Sequence, residues 1–367
     1  MAENIPFVNI GPGEMLKEEL DFLGWSQEDF ASIIGMSLKG VNELLNDKTA
    51  LTVETAKLIA KALGTSPEAW LALDAAFRLQ VAEETERERE AEGYASIMRY
   101  MPVREMVKKG WLAPFTSAKD LMTEVCQFWD RADADLTFLA KAKAPCFRRS
   151  RNREAYENYF ALAWAQRARR IAVGSSLRTY DKAKARTLGT SIPELSMKPD
   201  GIMAFVKGLD KAGIGFLVQS HLQKTYLDGA AFFVASNPHI VYTGRYDRSD
   251  NFWFTMAHEL AHVVLGHVRR DGDGILDDLR DEAEGAKENA ADILAREYMR
   301  VPKILEFCKP FKHYLSRDRI ERCSDSLGLD PGIVVGALQH AGFLPYKNLN
   351  SYKTPVLEKI TDIYKHG

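Results

Sequence analysis

Three of the eight histidines in this 367-residue chain lie within ten residues, in the stretch TMAHELAHVVLGH at Thr255–His267. On an α-helix His258 and His262 are one turn apart and separated by about 40° around the axis, so both imidazoles can reach one point. Glu259 lies beside the pair. The H-E-x-x-H spacing therefore predicts a helix that supplies two neutral imidazoles to a zinc ion (Zn2+) and a carboxylate that acts as general base.

A third ligand must come from another position, because a catalytic zinc ion takes three protein ligands and keeps one position open. His267 fits poorly as that ligand. It lies nine residues after His258, whereas the metzincin pattern requires ten, and Leu265 holds the position that this pattern gives to glycine. We expect His267 at the end of the helix, either on the surface or in support of a ligand.

The segment KENAADILAREYM offers a better ligand, since Glu288 and Asp292 lie one helical turn apart in it. Glu288 can complete a site of two histidines and one glutamate. Asp292 can accept the remaining N–H of a ligand imidazole and so fix its tautomer. Glu284 is a second candidate for the third ligand.

The first eighty residues have the pattern of short helices joined by tight turns. Ser26, Thr52 and Ser66 stand at N-cap positions. Between residues 26 and 47 one helix, a turn at Gly35 and a second helix follow one another closely. This arrangement predicts a helix-turn-helix motif.

The second helix of that motif, Ser37–Asn46, is the expected recognition helix. Lysine can reach guanine or phosphate, and asparagine can pair with adenine. The predicted DNA-binding residues are Gln27, Ser37, Lys39 and Asn42.

The acidic balance of this region argues against DNA binding. Residues 1–80 carry six basic and twelve acidic side chains, whereas DNA-binding domains usually present basic surfaces. Residues 147–186, with eleven basic and three acidic side chains, could supply positive charge, although a solvated helix face is the preferred interpretation. Two possibilities stay open for the module, binding of double-stranded DNA and docking to a protein.

Two segments also resemble known families. Residues 6–82, which include NIPFVNIGPGEMLKEELDFLGWSQEDFASIIGMS, resemble the lambda-repressor-like (XRE) family and its HigA-type antitoxin branch. Residues 203–304 resemble the ImmA/IrrE family of gluzincin-like metallo-endopeptidases, through TYLDGAAFF, HIVYTGRYDRSDNFWFTMAHELAHVVLGH and ENAADILAREYMRVP. The ending YMRVP departs from the LLMP-type ending common in that family, which should alter packing and leave ligation intact.

The second resemblance implies specific roles for residues of this chain. His258, His262 and Glu288 would bind zinc, and Glu259 would be the catalytic base. The family is associated with cleavage of XRE-type repressors, which leaves the substrate of this fused chain open.

We expect a mainly α chain of the α+β class with a small, mostly antiparallel sheet. Its predicted strands lie within Gly213–Ser220, Gly229–Ser236 and His239–Gly244. The helix that carries the H-E-x-x-H motif should begin at Ser249 or Asp250 as its cap.

Four regions are predicted along the chain. They are a helix-turn-helix DNA-binding domain at 1–82, a helical connector at 83–200, a zinc metallopeptidase domain at 201–310 and a helical C-terminal extension at 311–367.

Composition favours a cytoplasmic location. The four cysteines are scattered without a C-x-x-C pair, which argues against a disulfide framework and a thiolate zinc site. The first residues do not resemble a signal peptide. No apolar run approaches the roughly 18 residues that a membrane-spanning helix needs, so no membrane association is expected.

These patterns predict a homodimeric DNA-binding regulator with a zinc-dependent endopeptidase domain. Its substrate would be a repressor, a toxin or antitoxin partner, or the chain itself. The alternative is a non-catalytic antitoxin or repressor of the HigA type whose zincin domain serves as a sensor or as a toxin-binding module. An intact Glu259 favours the enzyme, because a purely structural zinc site does not require it.

Overall fold

The computed structural model describes residues 10–82, 85–133, 136, 138–139, 158–268, 284–312 and 314–366. The chain divides into two compact units, Met1–Arg89 and Glu90–Gly367. In the described part of the chain, no helix is long and apolar enough to cross a membrane.

The first unit contains a series of short helices around one apolar core. They are α1 (Pro12–Leu23), α2 (Gln27–Ile34), α3 (Leu38–Leu45), α4 (Val53–Leu63) and α5 (Pro67–Val81). The predicted caps Ser26, Thr52 and Ser66 are confirmed, since each side-chain oxygen accepts a backbone N–H from the first turn of its helix. Gly35 ends α2 in the left-handed conformation (φ 69°), and this permits the tight turn into α3.

Helices precede the sheet of the second unit. They are α6 (Glu86–Tyr100), which contains the boundary between the units, α7 (Val103–Lys108), α8 (Ala118–Trp129), α9 (Asn158–Val173), α10 (Lys182–Thr190), α11 (Ile192–Ser196) and α12 (Gly201–Lys211). The side chains of α7, α8 and α9 form an apolar cluster, with the fully buried Trp164 among its members.

The sheet is mixed. Its strands β1 (Gly215–Val218), β2 (Gly229–Val234) and β3 (Asn237–Tyr242) lie in the order β1-β3-β2. The pair β2–β3 is antiparallel, as predicted, whereas β1 and β3 are parallel. The prediction of a mostly antiparallel sheet was therefore wrong for β1. The connection at 219–228 is long enough to carry the chain past the position that β3 fills.

Both faces of the sheet are covered, as its alternating side chains require. Phe216, Ile240 and Tyr242 join a core with the helices that follow the sheet. Leu217 and Val241 point to the opposite face and join the cluster of α7, α8 and α9. The sheet is thus held between two helical layers of the second unit.

Five helices follow the sheet in the described residues. They are α13 (Ser249–Leu265), α14 (Glu284–Tyr298), α15 (Val301–Cys308), α16 (Arg317–Leu327) and α17 (Pro331–His340). Helix α13 is buried along most of its length, so its polar residues face protein on every side.

The predicted cap of α13 is wrong. Its N-cap residue is Arg248, and the side chain of that residue makes no capping hydrogen bond. The Ser249 N–H instead donates to the carbonyl oxygen of Thr354 at 2.8 Å. The Asp250 carboxylate lies 2.7 Å from the Lys353 ammonium. A distant segment of the chain therefore satisfies the groups that a local cap would have used.

Candidate metal centre

Helices α13 and α14 bring together the three predicted ligands. His258, His262 and Glu288 each offer one ligand atom, and these atoms lie within 4.8 Å of one another. The Nε2 atoms of the two histidines are 3.0 Å apart. The Glu288 carboxylate approaches His258 Nε2 at 3.3 Å and His262 Nε2 at 3.2 Å. The spacing of one helical turn thus gives the convergence expected from the sequence.

Asp292 occupies its predicted place beside His258. Its Oδ1 atom lies 2.9 Å from His258 Nδ1. Because an ionised carboxylate only accepts hydrogen bonds, Nδ1 must carry the hydrogen. In a neutral His258, Nε2 then holds the lone pair, on the side that faces His262 and Glu288, which is the form that would bind a metal ion.

His262 also has a hydrogen-bond partner at its Nδ1 atom. Its Nδ1 lies 3.2 Å from Nδ1 of His267. Burial lowers the pKa of His267, and the neighbouring His262 lowers it further. The sequence predicts His267 at the end of the helix, either on the surface or in support of a ligand, and its Nδ1 lies beside Nδ1 of His262.

The donor atoms fit a cation. Burial by itself would raise the pKa of Glu288, but its contacts with His258 and His262 outweigh burial and lower that pKa to about 2. Without a cation, that lowering requires hydrogens on the imidazole Nε2 atoms that face the carboxylate. A metal ion would replace these hydrogens and meet the same nitrogen and oxygen atoms. Two nitrogens and one carboxylate oxygen form a donor set that zinc accepts.

The expected catalytic base lies on the same helix. Glu259 is buried, with 3% of its surface exposed, and it packs against strand β2. A Cβ atom added at Gly229 would lie 3.3 Å from Glu259 Cγ and 2.5 Å from Thr255 Cγ2. The backbone of β2 therefore passes directly over the helix at this carboxylate.

Glu284, the alternative third ligand, is the first residue of α14, and its side chain lies outside the described residues. Tests of the third ligand therefore centre on Glu288.

The predicted DNA-binding residues all belong to the first unit and are exposed. Gln27 begins α2, Ser37 is the N-cap of α3, and Lys39 and Asn42 lie on α3. Lys39 is 86% exposed, with its ammonium 3.9 Å from the Glu43 carboxylate. The Ser37 hydroxyl accepts the Gly40 N–H at 3.1 Å and so caps α3. Asn42 accepts hydrogen bonds from the amide of Asn46.

Comparisons with known proteins agree with this arrangement. The helix-turn-helix family model matches residues 16–70, and the model of the IrrE N-terminal-like domain matches residues 215–313. The chain is 38% identical over 74 residues to the HTH-type transcriptional regulator YddM of Escherichia coli (strain K12), a match that covers 20% of this chain and 79% of YddM. The chain belongs to the helix-turn-helix regulators. The resemblances to helix-turn-helix regulators and to the ImmA/IrrE domain are confirmed.

Other relatives of this helix-turn-helix regulator also match about a fifth of it. Virulence-associated protein I of Dichelobacter nodosus is 32% identical over 76 residues, which cover 20% of this chain and 70% of that protein. A crystal structure of a hypothetical E. coli protein has 32% sequence identity and a TM-score of 0.22, and the match covers 23% of this chain and 87% of that one.

The regulator is thus a DNA-binding helix-turn-helix module fused to an IrrE-like domain of a metallopeptidase-like family. The matched segment 215–313 includes the sheet and helices α13 and α14. All three converging ligand residues and Glu259 therefore lie within the IrrE-like match.

Proposed function

We propose that this regulator is a zinc-dependent endopeptidase that cleaves a regulatory protein. The convergence of His258, His262 and Glu288, beside a buried Glu259, carries the proposal. A zinc ion at such a site supplies Lewis acidity toward a peptide carbonyl and makes water more acidic.

The side chains of this chain divide the remaining work. Glu259 takes a proton from the attacking water and returns it to the leaving amine. Asp292 holds His258 in the tautomer and orientation that ligation needs. To return the proton to the leaving amine, Glu259 must stay beside the scissile bond. Its packing against β2 restricts its movement.

Strand β2 is the proposed docking edge for the substrate. The far edge of β1 is occupied, because Lys365 bridges to Val218 and the His366 N–H donates to the Val218 carbonyl. In the described residues, β2 pairs with β3 alone. An extended peptide that adds to its free side would pass Glu259, since Gly229 of β2 packs against that residue.

The first unit is proposed to bind a short inverted repeat in double-stranded DNA as a homodimer. Helix α3 would enter the major groove, with Lys39 and Asn42 at base edges and Gln27 and Ser37 close to the backbone. The cleaved protein would be a repressor, a toxin or antitoxin partner, or the chain itself. The regulator would then couple operator binding to proteolysis.

The test compares wild type with Glu259→Gln, which removes the base and keeps the shape. Cleavage of a candidate substrate should fall by about 10²–10⁴-fold, while zinc content and DNA binding stay unchanged. Immunoblotting follows the substrate, and a reporter gene follows regulation. Glu297→Gln, an exposed glutamate on α14, is the matched control and should behave as wild type.

A different result would favour the non-catalytic regulator. It would consist of normal regulation by Glu259→Gln, no fragment from wild type, and loss of regulation in His262→Ala through misfolding. The endopeptidase proposal would then be abandoned.

A further inference from the structure

The end of helix α13 turns back over its own last turn. Gly266 adopts the left-handed conformation, with φ 75° and ψ 28°. The next residue, His267, therefore donates its backbone N–H to the His262 carbonyl at 3.0 Å. The same reversal brings the two imidazole rings to a centroid distance of 5.2 Å at an angle of 68°.

Each of the two rings faces the other with its Nδ1 atom. Nδ1 of His267 lies 3.2 Å from Nδ1 of His262, and a single hydrogen can occupy the space between them. Ligation through Nε2 requires a neutral His262 with its hydrogen on Nδ1. His262 must then be the donor, and His267 must accept at Nδ1 and carry its own hydrogen on Nε2.

We propose that His267 is a positioning residue of the metal centre, which accepts the Nδ1–H of His262 and thereby fixes the tautomer and orientation of that ligand. The inference rests on the proposed zinc site. His267 is not a candidate ligand itself. Its Nδ1 atom faces Nδ1 of His262, whereas the metal ion would bind His262 at Nε2. Among the described residues, the converging group consists of His258, His262 and Glu288.

The two histidine ligands are therefore supported by different chemistry. Asp292 supports His258 with a carboxylate, and His267 supports His262 with a neutral ring. Glu259, Glu288 and Asp292 already bring carboxylates to the site. A neutral acceptor on His262 orients that residue without adding a further negative charge.

The variants test the hydrogen-bond acceptor of His267 separately from the size of its side chain. His267→Leu removes the acceptor and keeps an apolar side chain of similar size. His267→Asn restores an acceptor oxygen close to the position of Nδ1. His340→Leu, which removes an exposed histidine on α17, is the control.

The first measurement uses the zinc-loaded protein, because without a cation His262 Nε2 faces His258 and Glu288 and can itself hold a hydrogen. Long-range ¹H–¹⁵N spectra of the histidine-labelled protein report the tautomer of each ring. Wild type and His340→Leu should show His267 with its hydrogen on Nε2 and its Nδ1 as the acceptor. A zinc-loaded wild type in which His267 carries its hydrogen on Nδ1 overturns the inference, even if every variant fails to fold.

The second measurement is zinc affinity by competition with a chromophoric chelator, together with the visible spectrum of the cobalt-substituted protein. His267→Leu should bind zinc about 10–100-fold more weakly and shift the cobalt bands, and His267→Asn should recover most of both. Equal affinity and equal spectra in the leucine variant and wild type would overturn the role of His267 and leave the zinc site standing. A wild type that binds no zinc would instead contradict the proposed function, together with the inference that rests on it.

Discussion

Replacement of Gly229 by alanine should destabilise the second unit, because β2 and α13 touch at this residue. The added Cβ would lie 2.5 Å from Thr255 Cγ2 and 3.0 Å from the Val241 carbonyl oxygen. Carbon atoms in contact rest about 3.5–4.0 Å apart, so β2 must retreat from the helix by about 1 Å. Thr255 is fully buried and cannot yield. We expect the free energy of unfolding to fall by about 1–3 kcal/mol, as for other overpacked sites.

Differential scanning calorimetry of the full chain measures this loss. Gly285→Ala is the matched control, since a Cβ at this helical glycine meets no atom within 4 Å. It should leave stability unchanged or raise it by up to about 1 kcal/mol. Zinc content should survive in both variants, because no ligand lies on β2. An unfolding transition of Gly229→Ala at the wild-type temperature would refute the close approach of strand and helix.

Three further outcomes are expected. Wild type should hold about one zinc ion per chain and Glu288→Ala should lose most of it by elemental analysis; equal contents would eliminate this residue as the third ligand. Alanine at Lys39 and Asn42 should weaken specific operator binding by about 1–3 kcal/mol per base contact, and weak, sequence-blind binding by wild type in low-salt titrations would indicate a protein-docking module instead. Lys353→Met should cost about 1–3 kcal/mol in urea unfolding because it leaves the buried Asp250 carboxylate with Arg248 as its remaining ion-pair partner, and an unchanged midpoint would show that the lysine contributes little.

The convergence of the candidate ligands could be predicted from the sequence because it comes from helical spacing. Two pairs of residues, His258 with His262 and Glu288 with Asp292, each lie one turn apart, and each pair therefore shares one face of its helix. Only the packing of the two helices had to be assumed. Caps such as Ser26 were equally predictable, since a capping hydrogen bond spans three residues.

Features that depend on distant parts of the chain were not predictable in this way. The parallel pairing of β1 with β3 joins Gly215 to His239, and no local pattern in either short strand specifies its neighbour. The partner of the Ser249 N–H is Thr354, more than a hundred residues away. For His267 the sequence left two places open, the surface and support of a ligand, and the turn at Gly266 was needed to choose between them.

The C-terminal segment holds the start of the helix that carries two ligands, although the IrrE-like match ends at residue 313. Asp247, just before α13, accepts two backbone N–H groups of this segment at 2.7 and 2.8 Å. Thr354 accepts the Ser249 N–H, and Lys353 neutralises Asp250 in the first turn. These contacts replace a local cap, so they fix where α13 begins and, through its rigid turns, where its histidines point. A chain that ended at the boundary of the family match would lose them and leave the buried Asp250 without its lysine. The extension is therefore part of the frame of the metal centre.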